Sequence, residues 1–312
     1  MTKVSVIIPT FNRSATIVDA VQSVMDQTHG SIEIIVVDDG STDDTVAKLK
    51  EFSSRITLLR QANEGPSAAR NHGVKAATGE ILAFLDSDDT WLPEKIERQV
   101  ALMEGCDKEM ACCICNASID NGPNAQKTDS FLVSGIRPAL NEGIWLNPAE
   151  VLSSRFILFN QVAAIRRDAF VRLGGYDKRL RLLEDYDLAL RLAARGGVWG
   201  IISSPLVIKR NDTCGIGVEC CNDRMAHAKA LRTVFAGVFE SGVIRQPQMR
   251  RNIHRRLREN AREIRSCEFM ERDHWPLRSI GVLMGMQSRA VRYASRRLFP
   301  LAEPEVKPAR DS

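Results

Sequence analysis

The 312 residues are 44% hydrophobic and 26% charged, an ordinary composition for a soluble globular chain, with length enough for a sizeable core plus an appendage. Val4 to Ile8 is a short apolar stretch stopped by Pro9 with no cleavage site behind it, and no apolar run approaches a bilayer span. Both observations argue against a secreted or membrane-spanning class, and the chain is expected to be cytoplasmic. The net charge of +4 hides a split. Residues 1–100 carry 10 basic and 15 acidic side chains, whereas residues 225–312 carry 18 basic and 9 acidic ones. Cation chemistry is expected at the first end and an anionic partner at the second.

In chain order, Val4–Ile8, Ile34–Val37, Ile56–Leu59 and Ile81–Leu85 read as strands, apolar nearly throughout and therefore covered on both faces. Ile17, Val21, Val24 and Met25 share one helical face between the first two; Pro93 opens a helix on Ile96, Val100 and Met103 that closes near Gly105. This alternation predicts an α/β fold, a mostly parallel central sheet flanked by helices. Met110–Ile119 reads as a buried strand holding Cys112, Cys113 and Cys115. These are expected to act as small hydrophobes, in preference to a zinc site with Cys220 and Cys221. From Met225 the pattern is helical: Met249, Ile253, Leu257 and Ile264 form one stripe, and Ile280, Leu283, Met284, Val291, Ala294 and Leu298 a second. The expected division is a catalytic domain over 1–215, a C-terminal helical region over 216–299 and a disordered, Pro-rich tail over 300–312.

Ligands of open α/β sheets bind at the carboxyl ends of the strands, so the segments that follow strands are the ones to read. They are Pro9-Thr10-Phe11-Asn12, Asp38-Asp39-Gly40-Ser41 and Asp86-Ser87-Asp88-Asp89, two of them rich in carboxylates. Asp86 and Asp88 offer paired hard oxygens to a small divalent cation and, through it, to a diphosphate; helix capping and turn solvation are the competing reading. Asp39 is placed to accept an imide hydrogen, while Ser41–Asp44 resembles a capping box for the next helix. Gly65–Gly73 brings Arg70 as its cation and His72 as a packed or solvated histidine. Gly174-Gly175-Tyr176-Asp177 and Glu184-Asp185-Tyr186-Asp187 precede a helix built on Leu188, Leu190 and Leu192. The helix dipole is expected to keep a carboxylate there ionised, as a general base requires.

The ordered set SVIIPTFNR, VVDDGSTDDT, GPSAARNHG, FLDSDD, LGGYD and LEDYDLALRL, spread over residues 5 to 192, closely resembles glycosyltransferase family 2. The resemblance covers residues 3–210 and implies a GT-A fold and inverting transfer from a nucleotide-sugar, UDP being the family-weighted nucleotide. It makes Asp39 the base-recognising acid, and places Thr10 and Arg70 by the nucleoside, with Pro9, Phe11, Asn12, Asp86 and Ser87 completing the donor-binding set. Asp86 and Asp88 become the metal pair for Mn2+ or Mg2+, with Asp88 the more direct ligand. Asp185 becomes the catalytic base and Glu184 its acidic neighbour. The implied acceptor is a hydroxyl of a glycan or glycolipid, in cell-surface polysaccharide or glycolipid synthesis. One departure stands out: where many members carry a histidine after the last strand, this chain reads Val207-Ile208-Lys209-Arg210-Asn211, and the nearest later histidine is His227. Lys209 or Arg210 is the substitute candidate for neutralising diphosphate charge.

Seven arginines from Arg250 to Arg265 surround the first C-terminal stripe, and Arg289, Arg292, Arg296 and Arg297 accompany the second. An interfacial helix on the anionic inner face of the plasma membrane has this appearance. A solvated helix packed on the catalytic domain, or one lining a homodimer, has it too. Aromatic residues are too scarce there for nucleic-acid binding. A sugar nucleotidyltransferase would need a glycine-rich triphosphate loop after the first strand, which Pro9-Thr10-Phe11-Asn12 is not. The remaining alternative, a non-catalytic nucleotide-sugar-binding homologue, has Asp39, Asp86, Asp88 and Asp185 against it.

Overall fold

The computed structural model describes residues 1–106, 110–122, 125–210, 224–272 and 303–308. Strands β1 (Val4–Thr10), β2 (Ile32–Asp38), β3 (Thr57–Arg60) and β4 (Ile81–Phe84) lie in the order β3–β2–β1–β4, every pair parallel. Helices α1 (Ile17–Met25), α2 (Thr45–Leu49) and α3 (Pro66–Ala76) form the crossovers. All of β1 is buried, as a strand with both faces covered must be. This half is the parallel α/β sheet that the alternation predicts.

The second half is built differently. After β5 (Thr90–Trp91) and α4 (Lys95–Glu104), the long β6 (Met110–Asp120) is reached. Short pieces follow: β7 (Thr128–Asp129), α5 (Ser130–Ser134), β8 (Glu142–Trp145) and α6 (Pro148–Leu152). Then come β9 (Ala163–Arg166), α7 (Arg167–Arg172), α8 (Glu184–Ala194) and β10 (Val198–Arg210). β10 runs parallel to β6, but β9 enters antiparallel between β4 and β6, and β8 adds antiparallel to β10. The central sheet is therefore mixed. Strands joined through short turns and helices, without one long crossover, are free to reverse, whereas the regular crossovers of the first half force parallel pairing.

The thiols of Cys112, Cys113 and Cys115 are fully buried in β6, and burial pushes the first two well above the usual range and the third up to about 11. They pack as hydrophobes; Cys220 and Cys221 lie outside the described residues. Helices α9 (Arg224–Glu240) and α10 (Pro247–Arg272) pack together and onto the sheet domain. Met249 and Ile253 are wholly buried, Asn252 Nδ2 donates to Ser153 Oγ at 3.0 Å, and Phe235 meets Tyr186 of α8 edge-on at 6.0 Å. The first arginine-flanked stripe is thus a packed face, whereas the second lies outside the described residues. Within the tail, residues 303–308 are ordered. Val306–Lys307 forms β11, antiparallel on β8, and Glu303 pairs with Arg155 at 2.8 Å. The open edge of β8 supplies a backbone ladder that local composition does not reveal. The described sheet thereby runs β11–β8–β10–β6–β9–β4–β1–β2–β3.

Candidate active site

The loops after β1 and β2 are stitched together. The Asn12 N–H donates to Ser41 Oγ at 2.9 Å, the Thr42 N–H to Asn12 Oδ1 at 2.8 Å, and the Arg13 N–H to Thr45 Oγ1 at 2.8 Å. Asn12 takes a left-handed φ of 50°, which asparagine tolerates better than most residues. Asp43 accepts the N–H groups of Ser14 and Thr45, and α2 starts without a side-chain cap. The expected capping box is therefore a brace between loops, because unpaired donors of the neighbouring loop compete for the same short side chains. Pro9 and Thr10 are buried at the end of β1, while Phe11 exposes its ring.

Asp39 is held at the same rim, its N–H donating to Thr10 O at 2.8 Å. On its carboxylate, Oδ1 accepts from Gln61 Nε2 at 2.8 Å and the Glu64 N–H at 2.9 Å, and Oδ2 accepts from the Gly65 N–H at 2.8 Å. Gly65 has φ +89°, a backbone turn that glycine enters without steric penalty and that carries its N–H to Asp39. Of roughly four lone-pair sites on a carboxylate, one on Oδ2 stays open for an incoming donor. Gln61 is oriented in turn by His72, whose Nδ1 lies 2.8 Å from Gln61 Oε1. Asp38, also buried, is committed to the Ser41 N–H and to Arg60 Nε, both at 3.1 Å.

Asp86, Asp88 and Asp89, in the turn after β4, each present an oxygen within 4.8 Å of the others. Ser87 is buried between them. Burial pushes the Asp86 carboxyl up, but Arg70, Lys209 and Arg13 outweigh it and hold the group below the usual range. Burial and the Asp86 charge raise Asp88, whose nearest cation is Arg13 Nη2 at 3.4 Å. Asp89 is wholly buried and is pushed up to about 7 by that burial, against the pull of Lys209. It accepts the Arg210 N–H at 2.9 Å and Gln161 Nε2 at 2.7 Å, with Lys209 Nζ 3.5 Å away. Lys209 therefore balances the acidic turn, and the Arg210 guanidinium is turned to Asp19 at 2.7 Å. Asn211 lies outside the described residues.

Arg70 joins this turn to the start of α8. Its Nη2 donates to Asp86 Oδ1 at 2.7 Å and its Nη1 to Glu184 Oε1 at 2.8 Å, while Cζ stands 5.4 Å from the centre of the Tyr176 ring. Arg70 is thus bonded to carboxylates of both turns. Leu183, the residue before α8, takes φ +61°, a strained conformation of the kind that collects at functional sites. Asp185 follows on the first turn and accepts the Tyr186 N–H at 2.7 Å. Burial first and Glu184 second raise its carboxyl to about 7, against the Tyr186 N–H and Arg70. The helix end favours the ionised form of this group, whereas desolvation and the Glu184 charge oppose it.

The LGGYD segment is the splint of this arrangement. Asn71 of α3 exchanges two hydrogen bonds with the Tyr176 backbone, at 2.9 and 3.0 Å. A Cβ on Gly175, at φ +75°, would lie 2.6 Å from Asn71 Oδ1. Arg191 of α8 pairs with Asp187 at 2.6 Å and donates to the carbonyls of Leu173 and Gly175. Thr10 Oγ1, Ser67 Oγ and Arg70 Nε are among the buried side-chain polar atoms of the described residues that have no hydrogen-bond partner. Unsatisfied groups of this kind are uncommon; these three come from β1 and α3, and others, such as Trp199 Nε1 and Asn260, lie away from the site. Sequence reasoning missed Gln61 and Gln161, since neither lies in a strand-end acidic loop.

The family described as Glycosyl transferase family 2 matches residues 5–172. An Escherichia coli protein, the UDP-Glc:alpha-D-GlcNAc-diphosphoundecaprenol beta-1,3-glucosyltransferase WfgD, is 45% identical over 102 residues, 32% of this chain and 40% of that protein. Matched segments take up only 15% to 61% of the first curated relatives' own lengths. Among solved structures, S. aureus TarS 1-349 in complex with UDP-GlcNAc is 19% identical with a TM-score of 0.64, covering 84% of this chain and 72% of that one. The Pyrobaculum calidifontis mannosyltransferase PcManGT in complex with GDP-Man and Mn2+ is 21% identical with a TM-score of 0.59, covering 95% and 82%. The likeness to these two is one of fold, and the fold is GT-A.

Proposed function

Since the chain belongs to glycosyltransferase family 2, we propose that it transfers a sugar with inversion from a UDP-sugar to a hydroxyl of a lipid-linked glycan. The observation that carries this reading is the single Arg70 guanidinium bonded to both Asp86 and Glu184. It draws the acidic turn after β4 and the base-bearing turn of α8 to one point on the rim.

Asp39, with one lone pair open, is suited to accept the imide hydrogen of uracil, a charge-assisted bond worth about 1.5–3 kcal/mol. Thr10 Oγ1 and Ser67 Oγ stand unpartnered for further donor contacts. The oxygen-only donor set of Asp86 and Asp88 fits Mn2+ or Mg2+. A cation held there supplies Lewis-acid neutralisation of the departing diphosphate. Asp89 stays a brace, because Gln161, Lys209 and the Arg210 N–H already occupy its oxygens. Asp185 takes the acceptor hydroxyl's proton as that oxygen attacks the anomeric carbon from the face opposite the diphosphate. The bond to the diphosphate breaks as the new glycosidic bond forms. A carboxyl near 7 in a buried site is well matched to that proton transfer.

The donor is weighted by UDP-GlcNAc in the TarS complex and by UDP-Glc in WfgD's name, and the acceptor by WfgD's diphosphoundecaprenol substrate. Residues 1–215 are the proposed catalytic unit, and the helices α9 and α10 follow it. No described helix is long and apolar enough to cross a membrane. Arg251, Arg258, Arg262 and Arg265 lie exposed on the outer face of α10, opposite the buried Met249 and Ile253. This stripe is suited to an anionic bilayer carrying the acceptor, near the inner face of the plasma membrane. Flotation with vesicles of anionic and of neutral lipid tests that part; equal recovery with both rejects it. The reaction is tested by nucleotide release from UDP-sugars with Mn2+ or Mg2+, comparing wild type with Asp88→Ala. Equal turnover by the two proteins would falsify the assignment of the metal turn.

A further inference from the structure

Gln161 is a buried residue of the 3-10 turn Asn160–Val162 that leads into β9, and it belongs to none of the sequence blocks read above. Its side-chain nitrogen donates to Asp86 Oδ2 at 2.8 Å and to Asp89 Oδ2 at 2.7 Å. An amide NH2 has two hydrogens, and both are used. The orientation is unambiguous, because a flipped amide would set its oxygen against two carboxylates.

We infer that Gln161 is a positioning residue for the cation site, a neutral two-pronged clamp that sets the separation of the first and third aspartates of the turn. The inference rests on the metal reading proposed above. Three carboxylates crowded in one partly buried turn repel one another, and their spacing must be imposed from outside. Lysine or arginine at this point would add a positive charge in competition with the cation, and glutamate would add a fourth negative one. Glutamine supplies two donors and no charge. It also leaves lone pairs on Asp86, which otherwise accepts from Arg70 on the opposite oxygen. Asp88, which pairs with Arg13 at 3.4 Å, is left the least constrained of the three.

The clamp is itself held on every side. Trp91 Nε1 donates to the Gln161 carbonyl at 3.1 Å, Gln99 Nε2 to the Val162 carbonyl at 2.8 Å, and the Tyr176 hydroxyl to Asn160 Oδ1 at 2.8 Å. Each residue of the turn is thus anchored by a buried side chain from β5, α4 or the LGGYD segment. Second-sphere groups fixed in this way typically change metal affinity about 10–100-fold when removed.

The test is Mn2+ binding to the donor-free full chain, followed by the EPR signal of free Mn2+, alongside melting in EDTA and the Mn2+ dependence of turnover. Gln161→Met keeps the volume and removes both donors. Gln161→Asn keeps the amide, but one methylene shorter it cannot span both carboxylates. Both are expected to bind Mn2+ about tenfold or more weakly, with turnover at saturating Mn2+ reduced less than the affinity. A purely structural role would lower the EDTA melting temperature and leave the Mn2+ affinity of the folded protein alone. Affinity within twofold of wild type in a folded variant, with binding abolished by Asp88→Ala, overturns this inference and spares the metal site. If Asp88→Ala binds Mn2+ as wild type does, the metal site fails and the clamp with it. Should the Met variant not fold, the Asn variant decides.

Discussion

Two carboxylate clusters close the same rim of the sheet, and they are held in opposite ways. Asp39 sits in a cradle supplied largely by backbone: two N–H groups, from Glu64 and Gly65, and the Gln61 amide. The Asp86–Asp89 turn is the reverse, three acids forced together and balanced by Arg70, Lys209 and Arg13. The first arrangement is finished before any ligand arrives. The second carries a repulsion that an added cation would relieve, and Asp185 with Glu184 extends the same unrelieved charge into α8. Under the proposed function, one end of the site serves recognition and the other serves charge that changes during the reaction.

The largest effect should come from the charged end. Asp185→Asn is expected to lower kcat by about 10²–10⁴, with UDP binding, measured calorimetrically, within a fewfold of wild type. In the wild type, kcat/KM should fall about tenfold per unit as pH drops below about 7, because the base must be ionised in the free enzyme and its carboxyl is raised to about 7. Stability moves the opposite way. A carboxyl raised in the folded state contributes stability below its ordinary range and loses it as pH climbs towards 7. Asp185→Asn, neutral throughout, should therefore be more stable than wild type at pH 8 by about 1–2 kcal/mol. That gain should vanish near pH 4, and a gain of equal size at both pH values would contradict the burial argument.

How far these two ends are legible in the sequence differs as well. The strands β1, β2 and β4 announce themselves as unbroken apolar runs, and Asp39, Asp86 and Asp88 follow directly at their ends. Local pattern sufficed because each of these residues lies within four positions of a strand's carboxyl end. What escaped was whatever depends on distant chain. Gln161 reaches the acids only because β9 enters the sheet backwards next to β4. The position of Asp185's titration reflects burial, which a helix-end argument does not contain. β11 required the free edge of β8, and the Ser41–Asp44 brace required a neighbouring loop that a capping pattern ignores.

At the recognition end the effects should be smaller and confined to binding. Asp39→Asn keeps the shape but places an amide where the uracil imide would donate. It should weaken UDP affinity about 10–100-fold, leaving Mn2+ binding by the acidic turn unchanged. A large loss of Mn2+ affinity in this variant would mean that the two clusters act as one, against the division drawn here.

The smallest effect tests whether the cradle is as finished as it appears. His72 touches Asp39 only through Gln61, at 2.8 Å on each side. If the backbone donors of Glu64 and Gly65 suffice to fix the carboxylate, loosening Gln61 should matter little. His72→Ala is then expected to raise the KM for a UDP-sugar by about 2–5-fold, the worth of one ordinary hydrogen bond, with kcat unchanged. His72→Gln, which can still hold the Gln61 amide, should restore most of it. A loss in kcat equal to the rise in KM would show that the nucleotide end does more than bind. The contrast between a preformed cradle and a charged, unrelieved turn would then have to be given up in favour of one site organised throughout.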